Sequence, residues 1–199
     1  MRRYVGRQNV RKRLAQFAEG RVRYGDGAAR IETPEETLTV RPPFGLAHEG
    51  EYETLELGPL LEALEEDHVV AVLLVRLGGY AVGVFEGEQL VASKVGSRFV
   101  KGRHKKGGSS ANRFRRRREE QARALLDEAA ETAARVLEPY RDRIEFVALG
   151  GDRSAVDAVL DRFDLPAEAL PRFFTTGDPR LRELERLPYD LYAAEVSSG

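Results

Sequence analysis

Between Lys101 and Arg118 the chain gathers residue types suited to meeting a polyanion. The segment reads Lys101-Gly102-Arg103-His104-Lys105-Lys106-Gly107-Gly108-Ser109-Ser110-Ala111-Asn112-Arg113-Phe114-Arg115-Arg116-Arg117-Arg118. Lys and Arg neutralise phosphates and release counterions, giving affinity with little sequence preference. The paired glycines allow close backbone approach to another molecule and access to φ > 0. Ser109, Ser110 and Asn112 are N-cap residue types, and a helix N-terminus starting there presents free N–H groups to an anion. Successive helical residues are about 100° apart, so at least one of the four consecutive arginines must face the sheet or a partner. A merely solvated basic loop is the competing reading of the same residues.

Charge is segregated along the chain. Net charge is −1, yet Leu90 to Arg118 contains eleven Lys or Arg and no Asp or Glu, and Met1 to Arg13 contains six basic residues and no acid. Purely cationic segments in a nearly neutral chain point to nucleic acid. The candidate nucleic-acid contacts, to RNA or DNA, are therefore Lys94, Arg98, Lys101, Arg103, His104, Lys105, Lys106, Arg113, Arg115, Arg116, Arg117 and Arg118. Arg2, Arg3, Arg7 and Arg11 form a second group.

The elements that must position the loop follow from periodicity. Val69 to Leu77 is an apolar run typical of a strand buried on both faces. Gly78-Gly79 turns it into Tyr80 to Glu86, and Glu86-Gly87-Glu88 turns again into Gln89 to Val100. A long helix is expected from about Asn112 to Leu137, with Phe114, Ala122, Leu125, Leu126, Ala129, Ala133 and Val136 as its buried stripe. A strand at Ile144 to Leu149, a helix at Arg153 to Phe163, a strand at Leu170 to Thr175 and a helix at Asp178 to Leu187 complete the pattern. The fold class is α/β: a mixed sheet opening with an antiparallel three-stranded meander and continuing α-β-α-β-α. Residues 57–199 would form this domain, with the basic Gly-Gly loop at 101–112. Residues 1–56 would form an appendage of a basic helix (7–19) and an irregular extension containing one strand at Thr37 to Arg41.

Composition narrows the chemistry. There is no Cys, and His48, His68 and His104 lack ligand-like spacing, so neither a metal nor another cofactor is expected. Asp67, Glu86 and Asp152 are scattered, which argues against a two-metal nuclease. A covalent serine is disfavoured too, since His104 is the one base near Ser109 and Ser110. No apolar h-region follows the basic N-terminus, and the longest apolar run, Val69 to Val75, is too short to span a bilayer. The expectation is a cytosolic protein without membrane contact, monomeric when free.

Gly107-Gly108-Ser109-Ser110-Ala111-Asn112-Arg113-Phe114, followed by an Arg-rich helix, resembles the Gly-Gly-Gln-Ser-Ala-x-Arg-Phe motif in the middle domain of archaeal and eukaryotic peptide-chain release factors. The element order matches as well, and the likeness is closer still to the Vms-like release-factor family. The resemblance covers residues 60 to 195 in order of elements. It implies a ribosome-dependent peptidyl-tRNA hydrolase acting on stalled large subunits in ribosome-associated quality control, with the large ribosomal subunit and peptidyl-tRNA as partners. It also implies that Gly107, Gly108, Ser109, Ser110, Ala111 and Asn112 form the catalytic segment. One departure stands out. The family's Gln falls on Ser109 in the classical alignment and on Ala111 in the Vms-like one, and the nearest Gln is Gln121. A ribosome-binding module that has kept the shape and lost the chemistry is therefore the alternative.

Overall fold

A computed structural model describes residues 2–98 and 109–199; for residues 109–112 and 114 the description covers the backbone alone. In chain order the elements are β1 (Arg2–Gly6), α1 (Arg7–Leu14), β2 (Arg21–Gly25), β3 (Ala28–Glu32), β4 (Thr37–Arg41), β5 (Gly50–Tyr52) and α2 (Gly58–Glu65). They continue with β6 (Val69–Arg76), β7 (Gly79–Glu86), β8 (Gln89–Ser97), α3 (Ser109–Leu137), β9 (Phe146–Gly151), α4 (Arg153–Leu160), β10 (Ala169–Phe174), α5 (Leu181–Leu191) and β11 (Ala193–Ser198). A 3-10 segment, Glu138–Arg143, joins α3 to β9. The chain divides into two compact units, Met1–Asp67 with Leu187–Gly199, and His68–Arg186.

The second unit holds a five-stranded mixed sheet in the order β10-β9-β6-β7-β8. β6, β7 and β8 form the expected antiparallel meander, while β9 runs parallel to both β6 and β10. β6 is the middle strand, and Val70 through Val75 are all buried, as a strand covered on both faces requires. One face packs Leu73, Val75, Tyr80, Val82 and Val147 against Leu125, Ala129, Ala133 and Leu137 of α3 and Val156 and Val159 of α4. Of the expected stripe of α3, Leu125, Ala129 and Ala133 are buried and Leu126 and Val136 pack against the same core, which also takes Leu137.

The first unit differs from expectation. In place of an irregular extension, residues 1–67 build most of a six-stranded antiparallel sheet in the order β1-β11-β4-β3-β2-β5, completed by the last strand of the chain. Val22, Tyr24, Ile31, Leu38, Val40 and Val196 face α1 and α2, whose Val10, Leu14, Leu60 and Leu64 close the core. The expected boundary near residue 56 falls inside this unit, because α2 packs on that sheet. Gly25-Asp26-Gly27, within the stretch expected to be irregular, turns β2 into β3. Asp26 and Gly27 take φ of 52° and 69°, the paired left-handed conformation of a tight hairpin turn between β2 and β3.

Helix boundaries also moved. α1 stops at Leu14 instead of residue 19. α4 stops at Leu160 instead of Phe163, and α5 begins at Leu181 instead of Asp178 and runs through Pro188 to Leu191.

Candidate functional site

Lys101, Arg103, His104, Lys105, Lys106, Gly107 and Gly108 lie outside the described residues, and the site is defined by the two elements that carry them. β8 is the edge strand leading in. α3 leads out and begins at Ser109, three residues before the expected Asn112, so Ser109, Ser110, Ala111 and Asn112 form the first turn of a helix. No N–H in a first helical turn has an acceptor within the helix, so this turn offers donors directly after the glycine pair.

The departing strand and the helix are fastened by one polar cluster. Tyr80, at the start of β7, is 2% exposed, and its ring lies against Gly96 of β8. A Cβ on Gly96 would sit 2.3 Å from Tyr80 Cζ, so glycine is required for this approach. The Tyr80 hydroxyl lies 3.0 Å from Thr132 Oγ1 and donates to Glu128 Oε1, also at 3.0 Å. The other Glu128 oxygen accepts from Arg98 at 3.4 Å, and the Arg98 N–H donates to the Gly78 carbonyl. Burial pushes the Tyr80 phenol above its ordinary pKa; the Thr132 hydrogen bond opposes this, and the bond to the Glu128 carboxylate adds to it. The phenol therefore stays protonated as a donor. Sequence reading missed Tyr80, Gly96, Glu128 and Thr132. The available signal was Glu128 and Thr132 at i, i+4, on the edge of the apolar stripe of α3.

Ahead of that cluster the helix is less deeply packed, with Arg118, Gln121, Ala122 and Ala124 half-buried. Between Arg113 and Ala124 no described side chain is buried, and Leu125 is the first that is. Glu128 and Thr132 meet Tyr80 at the same sheet end from which β8 delivers Arg98, and sixteen residues of α3 precede Leu125. At 1.5 Å per residue they make an arm of about 24 Å. Arg113, Arg115, Arg116 and Arg117 are exposed and Arg118 is half-buried. At about 100° per residue the five fall near 0, 200, 300, 40 and 140°, a girdle around the arm. Arg115 meets Glu119 at 3.8 Å, an exposed i,i+4 pair of small energetic value. Lys94 is exposed on β8, and Arg98 sits at the base of the arm.

The second basic group belongs to the other unit. Arg7 lies 4.3 Å over the Tyr192 ring and bonds Asp67 at 3.2 Å; Arg11 meets Glu65 at 2.7 Å, and Arg2 meets Glu195 at 3.5 Å. Arg3 is exposed. Among the described residues no group of His, Asp and Glu is arranged to hold a metal ion, and no helix is long and apolar enough to cross a membrane.

An α/β unit with an edge strand and a long helix flanking a basic Gly-Gly segment is the architecture of a release-factor domain, and comparison with known proteins agrees. Residues 68–197 match the model of the Actinobacteria/chloroflexi VLRF1 release factor family, acVLRF1. The chain belongs to that family. Peptide chain release factor subunit 1 of Archaeoglobus fulgidus is 30% identical over 95 residues, which are 48% of this chain and 23% of that protein. The Methanopyrus kandleri protein of the same name is 30% identical over 122 residues, 61% of this chain and 30% of its own length. The chain thus matches less than a third of the length of either relative. Among solved structures, archaeal translation termination factor aRF1 aligns with TM-score 0.47 at 16% identity, covering 81% of this chain and 51% of that one. The Vms1 mitochondrial localization core aligns at 0.43 with 14% identity, covering 94% and 80%.

Proposed function

We propose that this protein hydrolyses the ester joining peptide to tRNA on stalled large ribosomal subunits, using a Gly-Gly motif without the usual Gln. The arm carries this reading: a charged helical projection, fixed at its base, begins immediately after the glycine pair. Its arginine girdle suits a site walled by RNA, where phosphates lie on several sides.

In the reaction a water oxygen attacks the ester carbonyl carbon and passes its proton outward as the bond to the ribose oxygen breaks. The ribose oxygen leaves with a proton, and the peptide leaves as a carboxylate. The first-turn N–H groups of α3 would face the developing oxyanion, a contribution that survives any side-chain change at Ser109 or Ala111. Ser109, Ser110 and Asn112 are the polar residues offered to the water. Lys101, Arg103, His104, Lys105 and Lys106, with the arginines of the arm, would hold RNA phosphates. Such a protein works where ribosomes are, in the cytoplasm.

The direct test is release of labelled peptide from large subunits carrying peptidyl-tRNA. Wild type should release peptide, and Gly107→Ala/Gly108→Ala should not. The second reading, a ribosome-binding rescue or sensing module without chemistry, is favoured by Ser109 and Ala111 standing where the motif has Gln. Salt-sensitive binding to the same particles with no release would establish it.

A further inference from the structure

The six-stranded sheet packs one face on α1 and α2, and on its other, open face Arg2, Arg21, Arg23, Arg30 and Arg41 are exposed. Alternation places the side chains of that open face. Arg2, Ser197, Thr39, Arg30, Arg23 and Glu51 are paired in direct register across β1, β11, β4, β3, β2 and β5, forming one row over all six strands. At about 4.8 Å per strand the row is about 24 Å long. Arg21 and Glu32 lie on one side of it, and Tyr4, Glu195 and Arg41 on the other.

Charge is distributed differently on the two sides of this unit. On the helix side the pairs Arg7–Asp67, Arg11–Glu65 and Arg13–Glu36 match one cation to one carboxylate. On the open face five strand arginines meet three strand glutamates, with Glu53 at the rim near Arg21. Glu32 serves both Arg21 and Arg30, and Arg41 bonds the Asp26 carbonyl. Arg23 and Arg30 are directly opposed on neighbouring strands, each also paired with a carboxylate, Arg23 with Glu51 at 3.0 Å and Arg30 with Glu32 at 2.9 Å. Flat polar neighbours, Thr39 and Ser197, leave room for something broad to lie across the row.

We propose that this open face is a second RNA-binding surface that takes the phosphate backbone of double-helical RNA. Excess positive charge, a directly opposed arginine pair and small hydroxyl side chains fit a sequence-independent contact with phosphates. The surface lies in the unit outside most of the family match, and it adds to the proposed function without depending on the arm's chemistry.

The experiment uses the full chain with Arg115, Arg116, Arg117 and Arg118 changed to Gln, so that the arm no longer dominates binding. The probe is a plain RNA duplex titrated at several salt concentrations. Arg23→Thr/Arg30→Thr is then added; Thr suits an exposed strand position, the ion pairs lost with Glu51 and Glu32 are exposed and of small energetic value, and circular dichroism checks the fold. The arm-neutralised chain should bind the duplex in a salt-dependent manner. With about 0.9 in slope per phosphate contact, losing two contacts should shrink the affinity loss between 50 and 200 mM salt about tenfold. Duplex binding absent from the arm-neutralised chain, or unaltered by the sheet substitutions, would overturn the proposal. Weakened binding to ribosomal particles with unaltered duplex binding would also overturn it, in favour of an acidic protein partner. Peptide release is read separately, so its failure would leave this test intact.

Discussion

Gly96→Ala should loosen the base of the arm, and its cost can be worked from the geometry. The new methyl carbon would lie 2.3 Å from Tyr80 Cζ and 2.4 Å from Cε1 and the hydroxyl oxygen, far inside van der Waals contact. Tyr80 has little room to retreat, being 2% exposed with its hydroxyl committed to Thr132 and Glu128. Overpacking costs about 1–3 kcal/mol, and each hydrogen bond lost as the ring moves adds about 1 kcal/mol. β8 is an edge strand and can yield outward, which keeps the total at about 2–4 kcal/mol. Urea denaturation would measure it, with Gly96→Ala made both in wild type and in Tyr80→Leu, where the ring is gone. Most of the penalty should vanish in the second background, a coupling of about 1–3 kcal/mol. Equal penalties in both backgrounds would show that glycine serves β8 itself and not the ring. A wild-type penalty below about 0.5 kcal/mol would refute the packing argument outright.

Changing Arg115, Arg116, Arg117 and Arg118 to Gln should leave the urea midpoint within about 0.5 kcal/mol of wild type, since these side chains lie outside the core. The same variant should lose most of its binding to ribosomal particles in a sedimentation assay and flatten the salt dependence that remains. Leu125→Ala, at the first fully buried position of α3, should cost about 2–5 kcal/mol in the same denaturation measurement. Asp152 caps α4 by accepting from the Ser154 N–H at 3.0 Å, and Asp152→Ala should cost about 1 kcal/mol at neutral pH. The Ser154 hydrogen bonds hold the Asp152 carboxyl below its ordinary pKa, so this stabilisation is present above the unfolded-state value and is lost as pH falls through the lowered one. Denaturation of both proteins from pH 7 down to the acid range should therefore show the gap between them closing.

The second unit was legible in the sequence because its signals are local. An apolar strand bounded by Gly-Gly and a long helix with a stripe at 125, 129 and 133 each announce themselves within a few residues. The first unit was not, because its pairing is remote. β1 holds the sequence Arg-Arg-Tyr-Val-Gly, and it becomes a strand only by pairing with β11, almost two hundred residues later. Asp26-Gly27 between short alternating runs is a hairpin signal, but it lay within the stretch expected to be irregular. In the site, the cationic segment and the helix after it were legible from composition and periodicity. The Tyr80 cluster was not, since nothing local ties residue 80 to residues 96, 128 and 132.

The arm is placed against its own stability, which bears on why it exists. The positive end of a helix dipole lies at its N-terminus, where carboxylates stabilise and cations destabilise. α3 has no acidic residue in its first turn and five arginines within its first ten residues. Arg113 and Arg117 stand at i,i+4 and Arg115 and Arg118 at i,i+3, spacings at which like charges repel. Arg115 meets Glu119, but with the cation N-terminal to the anion, the less favourable order. The arm is helical because Leu125, Ala129, Ala133 and Leu137 anchor the following turns, so only propagation from a packed segment is required. Each local preference for stability is set aside in this one stretch, while α4, in the same unit, carries an ordinary Asp cap. On the proposed function the compensating anion is RNA, met outside the molecule. The arm should accordingly gain helical order when RNA neutralises it, and hydrogen exchange slowed there first, ahead of the packed half of α3, would be the signature of that gain.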